Sequence, residues 1–225
     1  MGYEARAGIG DPAGAVLQGT AMKWHTNGPP AGYRTLPTAC GEPAFAHESV
    51  RMLGEVTLGR FSYVNQDSLL AGFLPIRIGA FTCIGPRFYA HTRENHRITI
   101  PSAYPFQLIL GMDLPFPYTR DPRGDGINIG SDVWIGSHVK VAEGVCIGHG
   151  AVVGTYSLVT RDVEPYGIYV GVPARLLRFR FSESVIADLL DIAWWQWPLE
   201  RILQNVKFFS TDLQKVKTSI KNLIE

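Results

Sequence analysis

With 225 residues, 46% of them hydrophobic and 18% charged, the chain can bury a full core in one domain with appendages. Its 21 Lys and Arg against 20 Asp and Glu leave a formal charge of +1, which excludes a basic nucleic-acid face or a polybasic membrane patch and makes any anion site local. The most apolar early stretch, Ser68 to Leu74, is cut by Pro75 and Arg77, well short of the ~20 residues of a membrane span.

Residues 1–52, rich in Gly, Ala and Pro, carry no usable period and read as an N-terminal extension; Met1 to Arg6 lacks the apolar core of a signal peptide. Hexapeptides follow. Leu58-Gly59 and Val64 open two blocks, Ile78-Gly79 and Ile84-Gly85 two more, with a two-residue slip between them that predicts a bulge near Gly72 to Pro75. The pattern vanishes over 90–128, an excursion holding His91, His96, several prolines and aromatics, and too aromatic for disorder. It then resumes without a break. Ile129, Ile135, Val141, Ile147, Val153 and Val159 recur every sixth position, each followed by Gly, Ala or Thr, and small or β-branched residues (Val133, Val139, Val145, Ala151, Ser157, Val163) lie four places on.

Three phased residue classes at a period of six fit neither an ordinary helix nor an ordinary strand. They predict a triangular parallel β-helix, each hexapeptide a short strand plus a corner, with the aliphatic inward and Gly where backbones approach. Gly171-Val172-Pro173-Ala174-Arg175 reads as a turn leaving the coil. Beyond it, Ser182 is a candidate N-cap for a helix through Leu190, Pro198 restarts a helix, and Leu213, Val216, Ile220 and Leu223 form a last amphipathic stripe. These helices are expected to cap the coil end or meet a neighbouring subunit. The expected organisation is thus an extension (1–52), a hexapeptide β-helix (53–176) with its excursion (90–128), and a helical segment (177–225).

Several motifs carry a resemblance: Gly59-Arg60-Phe61-Ser62-Tyr63, Asn95-His96-Arg97, Ser102 to Phe106, Ile129 to Gly136, Gly171 to Arg175, and Trp194-Trp195-Gln196-Trp197-Pro198. Together they resemble the hexapeptide acyltransferases of the xenobiotic acetyltransferase group, which includes chloramphenicol and streptogramin acetyltransferases. That resemblance implies a left-handed β-helix, a homotrimer with active sites between subunits, acetyl-CoA as donor, no metal, and a small-molecule acceptor carrying a hydroxyl or amine.

By the same resemblance His96 aligns with the catalytic histidine. Its chemistry agrees, because taking the proton of an attacking hydroxyl needs a base near neutral pKa. Ser137 and Thr155 would meet the pantetheine arm, Thr160 and Arg161 would lie further along the groove, and Arg175 and Arg178 would clamp the nucleotide phosphates. Trp134 would stand beside the site or in a subunit contact. Tyr63, Asn65, Tyr104 and Phe106 are acceptor-wall candidates, with core or interface packing as the alternative for each; Ser137 and Thr155 could equally be solvent-facing. One departure bears on substrate: the long insertion after the first coil of antibiotic-modifying members is absent here, leaving the acceptor open between a sugar or nucleotide sugar and an antibiotic-like xenobiotic. Cys40, Cys83 and Cys146 have no paired spacing, which fits a reducing, cytoplasmic setting. Two rival readings remain. Hexapeptide coils also build trimeric zinc carbonic anhydrases, and His91 and His96 have four residues between them; a non-catalytic scaffold is the other.

Overall fold

The computed structural model describes residues 28–92, 95–119, 121, 123–216 and 218–225. The first 27 residues of the expected extension lie outside these. In chain order the strands are β1 (Tyr33–Leu36), β2 (Ala44–His47), β3 (Arg51–Leu53), β4 (Val56–Leu58), β5 (Tyr63–Val64), β6 (Leu69–Gly72), β7 (Ile76–Ile78), β8 (Cys83–Ile84) and β9 (Tyr89–Thr92). A short helix α1 (Phe106–Leu110) interrupts them. Then come β10 (Ile127–Ile129), β11 (Trp134–Ile135), β12 (Lys140–Val141), β13 (Cys146–Ile147), β14 (Val152–Val153), β15 (Leu158–Val159), β16 (Gly167–Val170) and β17 (Arg175–Phe179). Helices α2 (Glu183–Ile192), α3 (Leu199–Gln204) and α4 (Val206–Ser210) close the chain with three 3-10 turns, Trp194–Gln196, Leu213–Lys215 and Ile220–Leu223.

The strands stack into the three sheets of a parallel β-solenoid, β1-β2-β5-β8-β11-β14-β16-β17, β4-β7-β10-β13 and β3-β6-β9-β12-β15. Among the described strands only β1 on β2 and β17 on β16 run antiparallel, at the two ends of the first sheet. Successive coils are offset by 20 residues early (Ser62 to Thr82), by 51 across the excursion (Arg77 to Asn128), and by 18 afterwards (Ser131 to His149). The early surplus is the bend after Gly72, where the phase slip was expected.

The six aliphatics from Ile129 to Val159 are all at most 4% exposed, and so are their companions from Val133 to Val163. Burying each large aliphatic contributes about 1.5–3 kcal/mol, so the repeated slots together drive the coil closed. Between each pair, the third residue after the aliphatic takes a left-handed backbone: Phe61, Asp67, Phe81, Arg87, Asp132, His138 and Tyr156 have φ between 57° and 61°. That residue makes the corner. Gly136 shows why the slot after the aliphatic is small, since a Cβ there would stand 2.7 Å from the Thr155 amide nitrogen.

Two features differ from the sequence expectation. The coil starts earlier than residue 53: β2 pairs in parallel with β5, β3 with β6, and Ala44, Ala46 and Val50 join the core. This first turn has no Gly at the repeat slots, so its period is hidden. At the other end, Leu213 to Leu223 is two 3-10 turns rather than one amphipathic helix, although Ile220 is fully buried beside Val185, Leu189 and Phe208. Nor does the C-terminal segment cap the coil end. It lies along one corner, where Trp194 packs on Phe81 (4.9 Å between centroids), Trp195 stacks on His149 (4.6 Å), and Arg60 donates to the carbonyls of Trp195 and Trp197. The aromatic density of the Trp194 to Trp197 cluster is spent on this corner, where Phe81 projects from a left-handed backbone.

Candidate active site on the outer face of the first sheet

In every hexapeptide the residue before the inward aliphatic points outward. On the first sheet that slot aligns Tyr63, Cys83, Trp134, Val152, Ile168 and Arg178 in one column by strand register. Trp134 is 60% exposed, a large flat apolar face open to solvent. Tyr63 and Cys83 are hydrogen-bonded to each other and half-buried; burial pushes both the phenol and the thiol up from their usual ranges. Both therefore stay protonated at neutral pH, and the wall carries no charge. Cys83 was not among the expected site residues. Its slot in the hexapeptide, shared with Tyr63 and Trp134, was the signal that could have found it.

Two residues on from Tyr63, Asn65 continues the ladder through its amide to the Ile84 carbonyl (3.0 Å). The Tyr33 hydroxyl donates to its Oδ1. Tyr33 sits on β1 in the segment without a period, and no pattern in the sequence pointed to it. Beyond Asn65, the same ladder column runs through Gly85, Gly136 and Gly154 to Val170, which pairs with Arg175. Ser137 and Thr155 follow two of these glycines at the adjoining corner, where the Tyr156 amide donates to the Ser137 carbonyl at 2.9 Å. Thr160 and Arg161 lie at the next corner, past β15. The turn Gly171 to Ala174 ties back to β15 through Leu158 (3.0 and 2.8 Å), joining the strand that carries Arg175 to the one that precedes Thr160.

Arg175 and Arg178 thus close the end of the first sheet, three strand spacings of about 4.8 Å beyond Trp134 in the case of Arg178. Their partners are backbone carbonyls of Ala174 and Phe179 alone. Among the described residues, Arg60, Arg77, Arg87, Arg97 and Arg180 each meet a carboxylate, while Arg34, Arg51, Arg123, Arg161, Arg175, Arg178 and Arg201 meet none. Arg175 and Arg178 therefore place two positive charges without a carboxylate partner on the last strand of the first sheet.

The excursion between β9 and β10 is held by its own contacts. His96 bridges Thr119, the Arg97 amide donates to the Tyr118 carbonyl at 3.0 Å, and Arg97 lies over the Phe116 ring at 5.5 Å. His96 is partly exposed, with Nδ1 2.6 Å from the Ala103 carbonyl and Tyr118 edge-on at 5.6 Å. A carbonyl only accepts, so Nδ1 is the donor in this contact, and in the neutral ring Nε2 carries the lone pair. Tyr104 and Phe106 pack edge-on at 5.0 Å beside this loop, Tyr104 being 48% exposed. The fold therefore gathers the expected residues into three sets: Tyr63, Asn65 and Trp134 on the sheet; Ser137, Thr155, Thr160 and the arginines along its edge and end; His96, Tyr104 and Phe106 on the excursion. Cleft size does not mark the chemistry. A cleft of about 950 Å³ lies instead between Leu36 to Cys40, β4 and Trp195, and includes none of these residues. Among the described residues no three His, Cys, Asp or Glu side chains cluster closely enough to hold a metal ion.

The profile of bacterial transferase hexapeptide (six repeats) matches residues 126–161. Chloramphenicol acetyltransferase of Escherichia coli is 40% identical over 172 residues, covering 68% of this chain and 81% of that protein. The chain belongs to the hexapeptide-repeat xenobiotic acetyltransferases. Virginiamycin A acetyltransferase of Staphylococcus aureus is 38% identical over 150 residues, 65% of this chain and 68% of that one. Other relatives named chloramphenicol acetyltransferase are spanned over 61% of their length. The fold is shared with the structure of AntD, an N-acyltransferase from Bacillus cereus in complex with dTDP and 3-hydroxybutyryl-CoA, at a TM-score of 0.50 and 24% identity over 66% of this chain and 74% of that one. As an acetyltransferase of this family, the chain is an acyl-CoA-dependent enzyme.

Proposed function

We propose that this acetyltransferase moves the acetyl group of acetyl-CoA directly to a hydroxyl or amine of a small acceptor, with His96 as general base. The carrying observation is the contact of His96 Nδ1 with the Ala103 carbonyl at 2.6 Å, which in the neutral ring leaves Nε2 as the atom free to take a proton. The acceptor oxygen or nitrogen attacks the thioester carbonyl as its proton passes to Nε2. The tetrahedral intermediate then collapses, and that proton leaves with the CoA thiolate as thiol. No covalent enzyme intermediate is needed.

Acetyl-CoA would lie along the glycine column, its pantetheine arm beside Ser137 and Thr155, and its phosphates against Arg175 and Arg178, with Thr160 and Arg161 along the same groove. Trp134, Tyr63, Asn65, Tyr104 and Phe106 would wall the acceptor. An uncharged, aromatic wall suits an acceptor with an apolar face, in keeping with relatives named for chloramphenicol and virginiamycin; a sugar is the other acceptor class the family holds, as in galactoside O-acetyltransferase of Escherichia coli. Ile98, Leu108, Ile109, Leu110 and Met112 on the excursion are 45–84% exposed, the kind of apolar cluster a subunit contact covers, which supports a homotrimer with sites between protomers. The free thiols of Cys40, Cys83 and Cys146 support a cytoplasmic setting.

Thiol release from acetyl-CoA, screened over chloramphenicol, streptogramins, aminosugars and nucleotide-linked sugars, tests the reading. His96→Ala should lower kcat by about 10²–10⁴ while CoA binding persists; unchanged turnover removes His96 from the mechanism.

A further inference from the structure

The mechanism above leaves β1 unused, yet β1 reaches the candidate acceptor wall. Tyr33 is half-buried, lies edge-on to His47 at 5.2 Å, and donates its hydroxyl to Asn65 Oδ1 across 32 residues of sequence. The register explains the meeting. Tyr33 pairs with His47, and β2 pairs with β5 so that His47 falls beside Asn65. The pleat puts Asn65 on the same outer face as Tyr63, whose own column continues to Cys83 and Trp134.

A carboxamide has one accepting oxygen and two N–H donors, and they turn together. Once Tyr33 engages the oxygen, the amino end of Asn65 is aimed, and no side chain partner takes its two donors among the described residues. Burial raises the Tyr33 phenol above its usual range, so at neutral pH the hydroxyl keeps its proton and remains a donor. A fixed pair of donors beside a flat, uncharged wall of Tyr63, Cys83 and Trp134 is a recognition element: it rewards an oxygen that accepts, placed at the rim of an apolar face.

We propose that the N-terminal hairpin β1–β2 completes the acceptor site, Tyr33 acting as a positioning residue that aims the Asn65 N–H donors, and that the site selects acceptors pairing a flat apolar face with an adjacent hydrogen-bond-accepting oxygen. This rests on the acetyl-transfer reading and on the acceptor meeting the outer face of the first sheet.

The test is steady-state kinetics of Tyr33→Phe, Asn65→Ala and the double variant, with chloramphenicol as the reference acceptor beside whichever acceptor the screen turns over fastest. Tyr33→Phe should raise the acceptor KM about tenfold, the loss of one well-aimed hydrogen bond, with kcat and the acetyl-CoA KM within about twofold and the thermal midpoint unchanged. Asn65→Ala should match or exceed that rise, and the double variant should add nothing to Asn65→Ala, because the two residues act as one. An unchanged acceptor KM in Tyr33→Phe, or a lowered thermal midpoint with KM intact, overturns the proposal and leaves the bond as a pin for the hairpin. So does additivity in the double variant. Wild-type protein that releases no thiol with any acceptor overturns the acetyl-transfer reading itself, a result distinct from the other three.

Discussion

Asp132 and Arg180 stand 48 residues apart in the chain and 3.2 Å apart in the fold. Arg180 also donates to the Gly150 carbonyl at 2.7 Å and lies over the rings of Tyr166 and Phe181, so one side chain fastens the C-terminal segment to the coil corner. Burial raises the Asp132 carboxyl above its usual range, and Arg180 opposes that rise. Removing the guanidinium in Arg180→Ala lets the carboxyl climb further. A carboxyl raised on folding favours the native state when protonated and costs stability as pH climbs through its folded value. We expect Arg180→Ala to lose on the order of 2 kcal/mol at pH 7.5 and distinctly less at pH 4.5, measured by urea unfolding. An equal loss at both would mean that the pair contributes through packing alone.

Arg161, Arg175 and Arg178, proposed to meet the nucleotide, make a prediction that separates its recognition from chemistry. Arg175→Ala and Arg178→Ala should each raise the acetyl-CoA KM about tenfold, since a charge-assisted hydrogen bond contributes roughly 1.5–3 kcal/mol. With acetyl-pantetheine, which lacks the nucleotide, neither variant should differ from wild type. Arg161→Ala should show a smaller change in the same direction.

Gly136→Ala probes the close approach of neighbouring coils. The added methyl would stand 2.7 Å from both the Thr155 amide nitrogen and its Oγ1, so backbone must move. A destabilisation of about 1–3 kcal/mol is expected by chemical denaturation. A rise in the acetyl-CoA KM should accompany it, because Ser137 and Thr155 flank the strained point. A stable variant with normal donor binding would show the corner to be looser than its geometry.

His149 supplies a pH signature. Its Nδ1 accepts the Ser131 amide proton at 2.8 Å while the ring stacks on Trp195, and burial lowers its pKa below the ordinary value. A base depressed on folding gives stability that is present above its unfolded pKa, near 6.5, and is lost as pH falls through the folded value. The thermal midpoint should therefore drop between pH 7.5 and 5.5. His149→Asn keeps an acceptor for Ser131 without a titrating ring, and its midpoint should drop less over the same interval.

The coil from Ile129 to Val159 was readable residue by residue because each slot has a separate physical demand: an aliphatic for the interior, a small residue for the close approach, a compact one for the angle. The slip at Gly72 and the excursion were visible as breaks in the same rule. The start of the coil was not, since Ala44, Ala46 and Val50 fill the interior without the glycines that mark later turns. For the candidate site, Tyr63 and Trp134 were legible through the resemblance, and the outward slot they share would have added Cys83. Tyr33 had no such signal, because it meets Asn65 through an antiparallel hairpin that folds back onto the sheet, a tertiary contact that no periodicity encodes. The last amphipathic stripe misled for a related reason: Leu213, Val216, Ile220 and Leu223 do share an apolar surface, but 3-10 turns with side-chain caps from Asp212 and Ser219 serve it as well as one helix.

The excursion leaves from β9 and the chain returns at β10, yet β10 lies on β7 in the same three-residue register that β7 keeps on β4. Ile129 stacks on Ile78 as squarely as Ile147 stacks on Ile129. The coil thus does not sense how many residues pass between its two stitches. A segment mounted this way is a cassette: it can be lengthened, shortened or exchanged with the scaffold untouched, and the histidine it carries can be re-aimed at a new acceptor without renegotiating the core.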